Sequence, residues 1–286
     1  MKSLTIVSGK GGTGKTSIVG SFACLAKNFV LADADVDAAD LHLIVPPTIK
    51  KTVDFMGGHK AIIDPERCTQ CGECLDRCQY DAIDTDFNID MIACEGCGVC
   101  AHFCPSSAID FPQQTCGQWF ISDTAYGPMV HARLGIAEEN SGLLVSTVRQ
   151  EAKKIAEKNT YDLIIVDGPP GIGCPVIAAI TGASAMMIIT EPTLSGMHDL
   201  KRVAELAQFL KVPGMLCVNK YDLNPDMTEQ IISTGQAYKL TAVGKIPYDP
   251  SVTQAMVHGV PLINYSDGPA SQAIKDVWKN VSLFMQ

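Results

Sequence analysis

The chain has 286 residues, 47% of them hydrophobic and 19% charged, with a formal net charge of −9. That length holds one large α/β domain plus a small module, and the apolar share excludes disorder. The acidic balance speaks against direct binding to nucleic acid or to an anionic membrane through a broad basic surface. No run of about 18 apolar residues occurs, and the N-terminus enters a strand at once, leaving no room for a signal peptide. The expectation is a cytoplasmic protein with no stable membrane anchor. Twelve cysteines in that setting argue for metal rather than disulfides.

The first apolar run, Leu4-Thr5-Ile6-Val7, predicts a strand, and Ser17 to Ala26 predicts a helix. Between them lies Gly9-Lys10-Gly11-Gly12-Thr13-Gly14-Lys15-Thr16. Strand, glycine loop and helix stand in the order that a phosphate-binding P-loop requires. Glycines let successive backbone N–H groups turn inward onto phosphate oxygens, and the new helix adds the positive end of its dipole. Lys15 can reach the β- and γ-phosphates, and Thr16 can offer its hydroxyl to Mg²⁺. The nucleotide-binding candidates are Gly9 through Thr16 together with Ser17. A glycine-rich turn matching by chance would not bring both flanks with it.

Phe29-Val30-Leu31-Ala32 fits a buried parallel strand, and it ends in Asp33-Ala34-Asp35-Val36-Asp37. Ligands sit at such carboxyl ends in open α/β sheets. A solvated acidic turn is the alternative, but three carboxylates beside a phosphate loop call for a cation. Asp37 has no clear role.

From about Lys50 the helix and strand rhythm breaks, and two cysteine runs follow between Ile63 and Pro112. The first is Cys68-x₂-Cys71-x₂-Cys74-x₃-Cys78; the second is Cys94-x₂-Cys97-x₂-Cys100-x₃-Cys104-Pro105. This is the bacterial two-cluster ferredoxin pattern, in which three close cysteines wrap one side of a cubane and the other run supplies the fourth. One [4Fe-4S] cluster is thus assigned to Cys68, Cys71, Cys74 and Cys104. The second is assigned to Cys78, Cys94, Cys97 and Cys100. Tyr80 to Asp84 and Ser106 to Asp110 repeat just after each run, whereas Gln79 stands where the second run has Pro105. Zinc also binds paired Cys-x₂-Cys, but two complete four-cysteine runs favour clusters. So small a segment should need them to fold. His59 and His102 read as surface residues.

Gln118 to Ser122 is strand-like, Gly127 to Leu134 follows, and Glu138-Glu139-Asn140-Ser141-Gly142 leads into a helix over about Leu143 to Lys158. His131 and Arg133 read as a packed or surface pair, with coupling between the module and the core as the alternative. Tyr161 to Gly171 is an apolar strand ending in Asp167, a Walker B pattern that can hold the Mg²⁺ shell. Gly168 and Gly171 suit a loop that responds to the γ-phosphate. Cys24, Cys116, Cys174 and Cys217 read as small buried hydrophobes, although two copies of Cys174 could meet in a dimer. Ala185 to Thr190 is a buried strand, and Ser195 is expected to cap a helix running to about Leu210. Met215 to Val218 delivers Asn219-Lys220-Tyr221-Asp222, which matches the guanine-reading motif of GTPases. Ala242 to Pro247 is a last strand, Asp249-Pro250 starts a helix, and Ala270 to Phe284 is an amphipathic helix without a basic face.

These motifs, beginning with the second lysine of K-G-G-x-G-K-T at Lys10, resemble the MinD/ParA/Mrp superfamily of P-loop ATPases, which includes the nitrogenase iron protein. The resemblance implies an α/β, mostly parallel P-loop fold with an inserted ferredoxin-like module. It places the ATPase domain in 1–58 and 114–286 and the insert in 59–113. It also implies a dimer closed over ATP and Mg²⁺, with Lys10 reaching the partner's phosphates and Lys15 stabilising charge. Asp35 would position water, Asp33 would support the metal shell with Thr16 and Asp167, and Asn219 would contact adenine. Partners implied are a second copy or a paralogous ATPase, and a redox or metal-cofactor acceptor. Three roles remain open: cluster handling or electron transfer under nucleotide control, an electron carrier like the nitrogenase iron protein, and a non-redox positioning switch.

Overall fold

The computed structural model describes residues 1–135 and 141–286. The chain divides into two units, Met1–Val53 with Trp119–Arg133 and Ser141–Gln286, and Asp54–Gln118 with Leu134–Asn140.

The first unit begins with β1 (Lys2–Ser8), α1 (Lys15–Leu25), β2 (Phe29–Asp33) and the short α2 (Leu41–Ile44). β3 (Thr48–His59) then carries the chain out of this unit. In the second unit come β4 (Ile62–Ile63), α3 (Glu73–Arg77), α4 (Val99–Phe103) and β5 (Ile109–Asp110), and β6 (Gln113–Asp123) brings the chain back. The order continues with β7 (Pro128–Leu134), α5 (Ser141–Asn159), β8 (Leu163–Pro170), α6 (Cys174–Ile180), β9 (Ala185–Thr190) and α7 (Leu194–Phe209). It closes with β10 (Gly214–Asn219), a 3₁₀ turn at Tyr221–Leu223, α8 (Pro225–Ala237), β11 (Thr241–Ile246), α9 (Pro250–Val257), α10 (Leu262–Tyr265) and α11 (Pro269–Phe284).

The main sheet has the order β11-β10-β9-β1-β8-β2-β7-β6-β3. From β11 through β7 every neighbouring pair is parallel. Alternation along the strands feeds two apolar layers. Leu4 and Ile6 pack with Ile18 and Phe22 of α1 and with Ile274, Val277 and Val281 of α11. Val7, Met186 and Ile188 pack with Leu200, Val203 and Ala207 of α7 and with Ile231 of α8. Buried side chains of α5, Leu144, Val145, Val148 and Ala152, recur at helical spacing.

β3 corrects the expectation that regular structure lapses after Lys50. Most of its residues are exposed, and only Phe55 and Gly57 are buried, so it carries no apolar periodicity to read. A second correction concerns α7, whose cap is Thr193 rather than Ser195. The Thr193 hydroxyl accepts from the Gly196 N–H at 3.0 Å. Asp249 caps α9, accepting from the Ser251 N–H at 2.9 Å. Glu138, Glu139 and Asn140, expected to lead into α5, lie outside the described residues. Among the described residues no helix is long and apolar enough to cross a membrane.

In the second unit β4 and β5 pair antiparallel, Ile62 with Asp110 and Ile63 with Ile109. A small core of Ala61, Cys74, Ile83 and Ile109 sits among partly buried Cys78, Cys94, Cys100 and Cys104. The two cysteine runs fold alike. Gln70 and Gly96 take φ of 54° and 62°, Gly72 and Gly98 take 83° and 74°, and Asp81 and Ser107 take 51° and 53°. Gly72 and Gly98 each precede a five-residue helix whose C-terminal cap is the last cysteine of its run. The sequence duplication is therefore also a duplication of backbone conformation.

Candidate functional site

The phosphate loop leaves β1 and turns into α1 through two left-handed glycines, Gly12 at φ 79° and Gly14 at φ 84°. A side chain at Gly14 would also run into the Asn219 amide. Gly14 stands at the N-cap of α1, and no side chain caps that end. The first N–H groups of the helix are thus left to an outside acceptor, as an anion site requires. Gly9 is fixed by crowding, because a methyl group there would fall on Cβ of Asp199 in α7.

Sheet register brings the acids together. Asp33 at the end of β2 is the direct neighbour of Asp167 at the end of β8. Lys15 reaches up from α1 and donates to Asp167 Oδ1 at 2.6 Å and to Asp35 Oδ2 at 3.1 Å. All four side chains are buried or nearly so. Burial pulls the Lys15 ammonium down, but the charges of Asp167 and Asp35 outweigh it, and its pKa ends above the usual lysine value. Burial, followed by the charge of Asp167, raises the Asp33 carboxyl well above the ordinary range. Asp35 is also raised, chiefly by burial, with Lys15 opposing.

This cluster is not satisfied by the chain itself. Asp33 Oδ2, Asp167 Oδ2 and Thr13 Oγ1 are buried without a hydrogen-bond partner. Orphaned oxygens on two adjacent carboxylates, beside an uncapped helix terminus, form a donor set of the right chemistry for a magnesium-bound phosphate. Thr16 follows Lys15 on α1 and is half-buried. Ser17 does not face that cluster, and its hydroxyl contacts Met256 Sδ at 3.3 Å. Asn219 braces the loop, donating from Nδ2 to the Thr13 carbonyl at 2.8 Å and accepting the Lys220 N–H on Oδ1 at 3.0 Å. Asp222 accepts the Tyr248 N–H at 2.7 Å. Lys10 lies 3.6 Å from Glu191 Oε2, a residue that motif reading passed over. The available signal was an acid directly following an apolar strand, at the same sheet edge as Asp33 and Asp167.

In the second unit the eight motif cysteines fall into two cavities. One is lined by Cys78, Cys94, Cys97 and Cys100 with Tyr80, Val99 and Phe111. The other is lined by Cys68, Cys71, Cys74 and Cys104 with Phe87 and Pro105. Backbone N–H groups point at sulfur in the second, Gln70 to Cys68 at 3.4 Å and Ala108 to Cys104 at 3.3 Å. Burial raises the thiols of Cys74 and Cys100. At Cys104 slight burial raises the thiol too, but hydrogen bonds from Ser106 and Ala108 prevail and draw it down. Among the described residues no group of three or more His, Cys, Asp or Glu is arranged to hold a metal ion.

Remaining cysteines divide differently from expectation. Cys116 and Cys217 are buried, Cys24 is intermediate, and Cys174 is exposed at the start of α6. The apolar residues of α6 that pack inward are Val176, Ala179 and Ile180, which turns Cys174 outward. His59 and His102 are exposed, and His59 stacks on Phe111 at 5.1 Å between centroids. His131 is buried and shares a 2.9 Å hydrogen bond with Ser122 Oγ, whereas Arg133 is exposed.

Comparison with known proteins agrees with this geometry. An uncharacterised protein of Methanocaldococcus jannaschii is 33% identical over 99% of this chain and 97% of its own length. An uncharacterised ATP-binding protein of the same organism is 24% identical over 96% of this chain and 85% of its own. An iron–sulfur cluster carrier protein of Pyrococcus abyssi is 25% identical over 48% of this chain and 50% of its own. Among solved structures, the septum site-determining protein MinD of Pyrococcus horikoshii, complexed with Mg-ADP, superposes with a TM-score of 0.60. It has 18% identity, with 99% of this chain and 96% of that chain covered, and so shares the fold. The family model described as the CobQ/CobB/MinD/ParA nucleotide binding domain matches residues 4–262. A parallel sheet, a glycine loop and two acids on adjacent strand ends are thus the local expression of a wider kinship: this chain belongs to the CobQ/CobB/MinD/ParA nucleotide-binding family.

Proposed function

We propose that this protein is an ATPase whose nucleotide state drives a homodimer and is coupled to two [4Fe-4S] clusters carried in a ferredoxin-like insert. The observation that carries the reading is the division of eight cysteines between two cavities. Each cavity takes three cysteines from one run and the last cysteine of the other. That crosswise sharing is what two cubanes require, and single zinc ions would need each foursome drawn onto one point. The clusters would supply one-electron chemistry or be the cargo itself. The chain's own share is to hold them by thiolate and to direct N–H groups at sulfur.

At the phosphate loop the chain's task is positioning and charge stabilisation. Lys15 would turn from the carboxylates to the phosphates, the N-terminal N–H groups of α1 would cradle them, and Thr16, Asp33 and Asp167 would hold Mg²⁺. Asp35 then loses its lysine and is free to orient water. Adenine is favoured because Asp222, the acid that would read guanine, is already engaged by the Tyr248 N–H. A dimer through this face is supported by the partly exposed Lys10 and by Leu194, 79% exposed at the start of α7. A relative from Aquifex aeolicus has been solved as a MinC:MinD complex, which makes a second protein partner reasonable.

The test is anaerobic purification followed by iron and sulfide analysis, EPR and size exclusion with ATP, ADP or neither. About eight irons per chain and a nucleotide-dependent change in cluster potential or dimer content are expected. Zinc alone, or clusters and nucleotide each indifferent to the other, refutes the coupling. Transfer of clusters to apo-protein marks delivery; retention through redox cycling marks electron transfer.

A further inference from the structure

Lys10 does not simply project into solvent. Its Nζ lies 3.6 Å from Glu191 Oε2 and donates to Ser195 Oγ at 3.3 Å. On its other oxygen Glu191 accepts a 2.5 Å hydrogen bond from Lys220 Nζ. One largely buried carboxylate therefore stands between two lysines from different loops. Lys10 belongs to the phosphate loop, and Lys220 directly follows Asn219, which braces that loop at Thr13.

The two contacts are unequal. Lys220 is held closely, whereas Lys10 is held at longer range with 37% of its side chain exposed. A long, half-exposed ion pair is weak and easily exchanged. When Lys10 leaves, Glu191 still has Lys220, so no buried charge is stranded. The anchor itself is rigid: the Thr193 N–H donates to the Glu191 carbonyl at 2.8 Å, and the Thr190 hydroxyl donates to the Gly196 carbonyl at 3.1 Å. A side chain at Gly196 would strike that same Glu191 carbonyl. The more loosely held member is Lys10, which stands between two glycines in the sequence.

We infer that Glu191 is a positioning residue that parks Lys10 on its own subunit until a triphosphate on a second copy draws it across. This rests on the nucleotide-driven dimer proposed above. The clustered negative charge of a triphosphate outcompetes a single carboxylate that already has another lysine. Parking holds the amine near its working position and keeps nucleotide-free subunits apart.

Glu191→Gln preserves size and removes the charge. In protein whose lysines carry ¹³C-dimethyl labels, the Lys10 resonance, identified by its absence in Lys10→Ala, should move in nucleotide-free Glu191→Gln. By sedimentation with Mg²⁺ and a non-hydrolysable ATP analogue, Glu191→Gln should tighten dimerisation about two- to fivefold, the scale of a surface ion pair. In a Lys10→Ala background the same change should promote no dimer. An unmoved Lys10 resonance, or a gain in dimerisation that persists without Lys10, overturns the inference. So does a wild-type dimer whose affinity Glu191→Gln leaves unchanged, with the dimer reading intact. A wild-type chain that stays monomeric with the analogue overturns both.

Discussion

Asp33→Asn should make the nucleotide-free protein more stable while removing its response to magnesium. Asp33 is fully buried, its Oδ2 has no partner, and it neighbours Asp167, whose Oδ2 is also unpartnered. Burial and the charge of Asp167 raise its pKa well above the ordinary value. For an acid raised in the folded state, stability is greatest below the unfolded pKa and is lost as pH climbs through the folded one. The ionised form of this buried group is thus a liability to the fold. Asparagine keeps Oδ1, which accepts the Asp35 N–H at 3.3 Å, and replaces the orphaned oxygen with a neutral donor. Relieving an unsatisfied buried group amounts to about 1–3 kcal/mol, or a rise in Tm of about 2–6 °C for a chain of this size. The assay is thermal unfolding in EDTA and again with Mg-ADP. Wild type should gain from Mg-ADP, and the variant should start higher and gain little. A variant that melts below wild type in EDTA, or that keeps the full Mg-ADP gain, refutes the argument that these acids await a cation.

Lys10→Ala should leave the monomer's melting within about 1 °C, since the side chain is partly exposed and its pair is weak, while ATP-dependent dimers and turnover disappear; sedimentation and phosphate release read both. His131, held down to a pKa of about 4 by burial and then by the charge of His42, should stay neutral by NMR until pH falls well below 6. Because its folded pKa lies below the unfolded value, its contribution is complete above about 6.5 and drains away as pH falls. Between pH 6.5 and 5 wild type should therefore lose up to about 2 kcal/mol more than His131→Gln in urea unfolding, and equal losses would contradict this. Cys104→Ala should cost the cluster held by Cys68, Cys71 and Cys74 and leave roughly half the iron. Loss of iron from the other cavity instead would break the crosswise assignment.

Legibility followed burial. The strands β1, β2, β8, β9 and β10 are buried throughout most of their length, and their apolar runs marked them within a residue or two. β3 escaped because an exposed strand of lysines, threonine and acid has no pattern to read. The phosphate loop was legible because its geometry demands glycine at fixed places. What sequence could not give was register. Asp33 and Asp167 become neighbours only when β2 and β8 align, and nothing in either segment encodes the other. Cap identity failed for a related reason: Thr193 and Ser195 are chemically equivalent candidates, and the backbone decides, with Thr193 extended at φ −131° and ψ 158°. Exposure of Cys174 was missed because a lone cysteine carries no periodicity, and the helix that orients it is only seven residues long. Glu191 was overlooked because its partners come from two distant loops.

The exchange of one cysteine between the two runs makes each half of the small unit a hostage of the other. Filling one cavity would close a ring from position 68 to 104, and filling the other would close a smaller ring from 78 to 100 inside it. The second then closes on ends that are held in place, at far lower entropic cost. Loading of either cavity should consequently ease loading of the other, while a chain that can fill only one cavity still holds its occupant.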